Sequence, residues 1–407
     1  MSDFAKNSTR DLIDQQLDGA PVWIVQLLSV PNLLPFAFRR AFCKYVAVDL
    51  PAFFCRNHTN DNNSPVSSKK LLVPRGAAAI QGLSEQLAAG QWWRCKTEFT
   101  FLDEAGTGEG PTQEFYSELS AILNHSDSPW HQDQGIKIGG MFPSCIVASP
   151  EFTVLGSSIA RSFCDGFLLD VQLHPQFWSL IRSDEAVSFE EVDPVMHHSL
   201  QKLAIMNDAE LLRLGLFLDE EGRIPLQCCN LSRFVSQTIE ASLRIVKENA
   251  KVLRRYFESI LPIRIFQIFS LNEMNAVFCG VKLNSDGRYF SESDLRAVVV
   301  GAHGYSNDSS EVQSFVRVVG SKLSVQEQEY FLEFLTGCSR LPCDGLRGLG
   351  KPITVVRKDM EDRMEGTLPS CNTCFLYVKF PPYKTEAVMW QRTVLAISEG
   401  RKNFSLS

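Results

Sequence analysis

The run Leu368-Pro369-Ser370-Cys371-Asn372-Thr373-Cys374-Phe375-Leu376-Tyr377-Val378 sets a polar, turn-forming stretch directly before a row of aromatic and β-branched residues. Upstream, Ile353-Thr354-Val355-Val356 is a second β-branched run. Together they predict two strands flanking a loop, with Cys374 where the loop enters the strand that begins there. Loops held by rigid elements expose reactive groups to solvent, so this placement suits chemistry.

Three chemistries compete for the cysteines. Cys371-x-x-Cys374 has the spacing of a redox pair, but that pair works at a helix N-terminus and the residues after Cys374 read as strand. Cys338 and Cys343, with Cys371 and Cys374, supply four thiolates for a structural zinc, yet Pro342 and the following strand fit a zinc knuckle poorly. The third reading is a single nucleophilic thiol, which normally needs a base or an electropositive setting. The last of the seven histidines is His303, and a protease-like pair would need a distant partner such as His197 or His198. Exchange between thioesters asks less, because the acyl group arrives activated and a thiolate leaves. A positioned thiol then suffices.

The length of 407 residues predicts roughly two to three domains of about 100–200 residues. With 44% hydrophobic and 21% charged residues the chain can bury a large core, which excludes dominant disorder. A net charge of -7 and no basic stripe argue against a nucleic-acid partner. Twelve cysteines are too sparse for a disulfide scaffold, so a reducing compartment, cytoplasm and/or nucleus, is expected. The uncharged stretch Gly19–Phe38 is long enough to raise a membrane span, but Pro21, Pro31, Pro35, Gln26 and Asn32 break it. No signal peptide is read in the polar residues 1–18.

Apolar residues recur at helical spacing from Val235 through Ile239, Leu243, Val246, Ala250 and Leu253 to Phe257, predicting a helix over 231–260 that Leu261-Pro262 ends. A second helix is predicted from Thr385 as N-cap to Gly400 as stop. Asn57 to Lys70 is polar and turn-rich, a mobile surface loop by composition. A hinge is expected where Gly, Lys, Asn, Ser and Asp gather between Gly280 and Gly287.

Leu368-Pro369-x-x-x-Thr373-Cys374-Phe375, followed by Phe380-Pro381-x-Tyr383, resembles the catalytic loop of HECT-type ubiquitin ligases. Phe404, fourth from the last residue, resembles the family's tail phenylalanine, and 334–345 its segment before the catalytic loop. Glu104 to Phe115 resembles its N-lobe signature; its glycines lack the Gly-Lys-Ser/Thr of a phosphate cradle, so they read as turns. Leu155-Gly156 through Leu169-Asp170, Val192-Asp193-Pro194 and Ser199-Leu200 follow in order. Residues 352–358 and the Leu-Ser ending are most similar to the ubiquitin-fusion-degradation branch.

The resemblance implies a bilobal α+β fold: an extension over 1–35, a mainly helical N-lobe over 36–281, a flexible hinge at 282–287 and an α/β C-lobe over 288–407. It implies that Cys374 accepts ubiquitin as a thioester from a conjugating enzyme and passes it to a lysine of a substrate protein, with no cofactor and no metal. Leu368, Pro369, Asn372, Thr373 and Phe375 support the loop. Asn372 stands where many members carry histidine. Phe404 helps fix the lobes, and Met196, Leu200, Phe234 and Thr238 line the groove for the conjugating enzyme. The docking segment between Leu200 and Phe234 is short, and no substrate-recruiting domain is read before Phe36, so the chain is expected to be compact or a fragment. The rival reading is a bilobed adaptor that binds a conjugating enzyme without accepting ubiquitin.

Overall fold

A computed structural model describes residues 34–49, 69–88, 97–104, 106, 108–125, 130, 140–144, 150–182, 187–219, 221–284, 286–358, 367–373 and 375–404. Most of the 1–35 extension, most of the uncharged stretch 19–38, the polar run 57–68 and Cys374 lie outside the described residues. Among the described residues no helix is long and apolar enough to cross a membrane.

The helices used below are α1 (Phe36–Lys44), α2 (Ala78–Ala88), α3 (Glu109–His125), α4 (Glu151–Asp165), α5 (Pro175–Arg182), α6 (Pro194–Ala204), α7 (Asp208–Arg213), α8 (Leu231–Glu258), α9 (Leu271–Phe278), α10 (Ser310–Arg317), α11 (Val325–Thr336) and α12 (Glu386–Phe404). Among the described residues the strands are β1 (Lys69–Val73), β2 (Thr97–Phe101), β3 (Val299–Ala302), β4 (Ile353–Arg357), β5 (Ser370–Asn372) and β6 (Tyr377–Phe380). β1 and β2 form a parallel pair; the others form a sheet in the order β3-β4-β6-β5, parallel except for the β5–β6 hairpin.

Apolar residues gather into two large cores. The first reaches from Cys43 to Cys279 and is centred on α4 against α8. These helices can cross closely because α4 presents Gly156, where a Cβ would stand 2.3 Å from the Leu253 carbonyl oxygen. Leu253 and Phe257 are fully buried there, each contributing about 1.5–3 kcal/mol. The second core reaches from Tyr289 to Ile397 and fills the space between the four-stranded sheet and α10, α11 and α12. The loop signature before α3 is structural. Thr112 accepts from the Phe99 amide at 3.1 Å, and Phe115 stacks on Phe99 with centroids 3.8 Å apart.

The helix predicted over 231–260 is observed as α8, but its apolar stripe has two environments. Val246, Ala250, Leu253 and Phe257 enter the first core. Val235, and Phe234 beside the stripe, instead pack on a small separate cluster of Leu211, Leu226 and Leu231. The helix predicted to stop at Gly400 runs on to Phe404, because Gly400 lies against the Phe334 ring, where a Cβ would sit 3.2 Å away.

Candidate active site

The residues that resemble the family's catalytic loop form a hairpin on the second core. β5 and β6 pair antiparallel, with Ser370 opposite Lys379, Cys371 opposite Val378 and Asn372 opposite Tyr377. Cys374 therefore falls within the connection 373–376, and its own atoms lie outside the described residues. The strand expected to begin at Cys374 begins at Tyr377 instead. Leu376 explains the delay: its φ of 52° is left-handed and cannot continue a strand. Such a conformation costs a leucine about 1–2 kcal/mol, and burial of the side chain to 5% exposure holds it there.

Both ends of the connection are tied down. The Asn372 side-chain oxygen accepts from the Phe375 amide at 3.3 Å, and the Thr373 carbonyl accepts from the Leu376 amide at 3.4 Å. On the sheet side the Thr354 amide donates to the Leu376 carbonyl at 2.9 Å. Ahead of the hairpin, Pro369 is buried and Leu368 half-buried. The Lys358 ammonium donates to the Leu368 carbonyl at 3.0 Å, and the Tyr383 hydroxyl to the Thr367 carbonyl at 2.7 Å. Asn372 is exposed and reaches across to the Phe375 amide, and the Phe375 ring is 59% exposed.

Sequence reasoning names Asn372 as a loop-supporting residue standing where many members carry histidine, but not the bond it makes to the Phe375 amide across the turn. The signal was available, since Asn before a tight turn bonds the backbone two to three residues on. It also missed that His303 comes close: its ring centroid is 6.2 Å from that of Tyr377, which is 5.8 Å from that of Phe375. His303 carries a left-handed φ of 47° at the end of β3. No local pattern reports a neighbour more than seventy residues away in the chain. His197 and His198 lie on α6, in the part of the chain that builds the first core and its small satellite.

The other described cysteines are free thiols. Burial pushes Cys43, Cys164 and Cys279 up to about 12 and raises Cys338 and Cys343 as well. The exposed Cys228 thiol is raised by its hydrogen bond to Asp208. Groups held protonated are poor nucleophiles. Cys371 is half-buried with its Sγ turned to the Leu335 carbonyl at 3.7 Å. Among the described residues no group of three or more His, Cys, Asp or Glu is placed to hold a metal ion.

The residues matched to the docking groove lie together on α6 and the start of α8. Met196 is 39% exposed, and its amide donates to the Asp193 carboxylate that caps α6. Leu200 is 4% exposed, so it backs this surface from beneath. Phe234 and Thr238 are half-buried, and the Thr238 hydroxyl donates to the Phe234 carbonyl at 2.9 Å. Seven of the sixteen large apolar side chains that stand exposed among the described residues fall between Val195 and Ile224, with Ile205 at 86%. The backbone of Phe404 ends α12, and its side chain lies outside the described residues.

The sequence profile of the HECT-domain (ubiquitin-transferase) family matches residues 113–407. A probable ubiquitin fusion degradation protein of Schizosaccharomyces pombe is 30% identical over 98% of this chain and 27% of its own length. The E3 ubiquitin-protein ligase UPL4 of Arabidopsis thaliana is 24% identical over 100% of this chain and 32% of its own. Ubiquitin fusion degradation protein 4 of Saccharomyces cerevisiae is 29% identical over 76% of this chain and 24% of its own. The chain thus spans about a quarter to a third of the length of these relatives. With the hairpin, the two cores and the profile in agreement, the chain belongs to the HECT-domain family, on its ubiquitin-fusion-degradation branch.

Proposed function

We propose that this chain is a ubiquitin-protein ligase module in which Cys374 is the acyl-accepting nucleophile. Its thiolate attacks the carbonyl of the thioester joining ubiquitin to a conjugating enzyme; the old C–S bond breaks and the enzyme's thiolate leaves. The amine of a substrate lysine then attacks the new thioester, forming an isopeptide bond, releasing the Cys374 thiolate and losing its proton to solvent. Neither step needs a cofactor, since the acyl group is activated throughout. Positioning does most of the work.

The observation that supports this reading is the way the residues on either side of Cys374 are tied: the Asn372 side chain accepts from the Phe375 amide, and the Thr373 carbonyl accepts from the amide of the left-handed Leu376. The separation of the two cores supports an N-lobe over 36–281, a hinge at 282–287 and a C-lobe over 288–407. The exposed apolar residues from Val195 to Ile224, with Met196 above Leu200 and Phe234 beside Thr238, form the docking surface for the conjugating enzyme. Phe404 acts in transfer to lysine. Free thiols throughout the described residues fit a reducing compartment, cytoplasm or nucleus, and the net charge of -7 fits protein rather than nucleic-acid partners.

With activating and conjugating enzymes supplied, Cys374→Ser is expected to trap ubiquitin as an oxyester that survives thiol reductant, whereas the wild-type adduct is reduced away. Persistent loading of Cys374→Ala would sink the assignment. Truncation before Phe404 is expected to spare loading and slow lysine transfer, and equal damage to both steps would remove Phe404 from that role.

A further inference from the structure

The two cores are joined through a polar node that the catalytic chemistry leaves unexplained. Arg340 follows the C-terminal end of α11, where Gly337 takes a left-handed φ of 71°. Its Nε donates to the Asp170 carboxylate at 2.5 Å, its Nη2 donates to Gln172 Oε1 at 3.2 Å, and the Ser339 hydroxyl donates to the second Asp170 oxygen. The Arg340 side chain is 7% exposed and that of Asp170 20%. Around this node the same short segment grips the first core by backbone. The Thr336 carbonyl accepts from the Gln113 side chain, and the Gly337 carbonyl from the Ser117 hydroxyl. Leu341 also exchanges amide hydrogen bonds of 2.9 and 2.7 Å with Val281, which itself packs on the second core. Gly280 makes that exchange possible, with a φ of 77° and a Cβ position only 2.4 Å from the Leu341 carbonyl oxygen.

The remaining ion pairs across this boundary are weaker. Arg40–Asp344 and Lys351–Glu109 have side chains 25–55% exposed, where pairs contribute about 0–1 kcal/mol. The covalent link is a small exposed turn built on the Asn284 side chain, which accepts from the Asp286 and Arg288 amides. Neither fixes an angle. A buried pair does, because separating it strands a charge out of water.

We propose that Asp170 and Arg340, with Ser339 and Gln172, are positioning residues that set the orientation of the Cys374-bearing half relative to the half that docks the conjugating enzyme. The role in catalysis rests on the ligase reading above; the role in orientation does not.

Pulsed electron-resonance distances between spin labels at Lys202 and Gln391 in the full chain, attached through unnatural amino acids because the chain has 12 cysteines, test the orientation directly. Wild type is expected to give one narrow distance. Asp170→Ala and Arg340→Lys should broaden it, and the exchange Asp170→Arg with Arg340→Asp should restore a distribution narrower than either single change. Thermal melts accompany each variant, and Arg340→Lys, which keeps the charge but loses the fork, stands in if Asp170→Ala does not fold. In single turnover, loading from a charged conjugating enzyme should slow about tenfold or more in Asp170→Ala, while discharge of the loaded chain to free lysine changes less than about twofold. An unaltered narrow distance in every variant, or equal loss of loading and discharge, would overturn the proposal. If Cys374→Ala still loads, the ligase reading fails, yet the distances still decide the node.

Discussion

Replacing Asn372 by alanine removes one acceptor from an exposed turn and nothing from the core. The Phe375 amide loses a 3.3 Å partner and turns to water. A hydrogen bond of this kind contributes about 0.5–1.5 kcal/mol net, and its length and exposure put it in the lower half, about 0.5–1 kcal/mol. At 1.4 kcal/mol per decade, that is a loss of about two- to fivefold in the population of the productive turn. Because one turn serves both half-reactions, ubiquitin loading and discharge to free lysine should slow by the same factor. Melting should shift by no more than the about 0.5–1 kcal/mol that this bond supplies. Serine keeps a weaker oxygen acceptor for the same amide, so Asn372→Ser should fall between wild type and alanine. Asn372→Asp keeps the acceptor but sets a negative charge beside the thiol, which disfavours the thiolate. Its defect should therefore shrink as pH rises, unlike that of alanine. The assay is a pulse-chase from a pre-charged conjugating enzyme. Wild-type rates in Asn372→Ala would refute the pinning role, and a loss above about a hundredfold would exceed what one such bond supplies.

Three further outcomes follow from the same geometry. Cys371→Ser should load ubiquitin within about twofold of wild type, since Cys371 points to the Leu335 carbonyl rather than into the turn; a loading defect in the same pulse-chase would revive the paired-cysteine readings. Leu376→Ala should cost about 2–5 kcal/mol in denaturant unfolding by emptying a site in the second core while leaving the strained φ in place; a cost below about 1 kcal/mol would mean the side chain does not anchor the loop. Glu273→Gln should cost about 3 kcal/mol, because the Arg39 guanidinium it pairs with at 2.6 Å is 3% exposed. The Arg39 hydrogen bonds hold the Glu273 carboxyl below its usual 4.5, so this stabilisation is complete above that value and fades as pH falls further. Melting temperatures from pH 7 down to 3 should then drop more steeply below about 4.5 in wild type than in Glu273→Gln.

What was legible in the sequence is what periodicity and turn chemistry encode. The spacing in 231–260 gave α8 to within two residues at its end, and the β-branched run 353–356 gave β4. Periodicity names an apolar face without naming what covers it, so it does not separate Val246 to Phe257, which enter the first core, from Val235, which meets a satellite cluster. Gly400 read as a stop because glycine usually ends helices; here α11 approaches closely enough through Phe334 to favour glycine inside one. The strand start was misplaced by three residues because a left-handed Leu376 carries no sequence mark. The Asp170–Arg340 node was illegible for another reason: its partners are 170 residues apart, and each alone is an ordinary charged residue.

These limits bear on where the chemistry is controlled. Among the described residues every thiol with a resolved shift is raised, mostly by burial, and the hairpin's own hydrogen bonds fix its shape rather than supply a base. On the proposed reading a single thiol must meet a conjugating enzyme docked near Val195 to Ile224 and later a lysine on another protein. A turn held by Asn372 and Leu376 offers the same backbone ties in both steps. The adjustment then falls to the boundary between the cores, where the Asp170–Arg340 node holds one orientation and must release to reach the other. Rate differences among relatives of this chain should accordingly track substitutions at 170, 172, 339 and 340 more than substitutions around the thiol, since orientation, not nucleophile activation, is what the fold leaves adjustable.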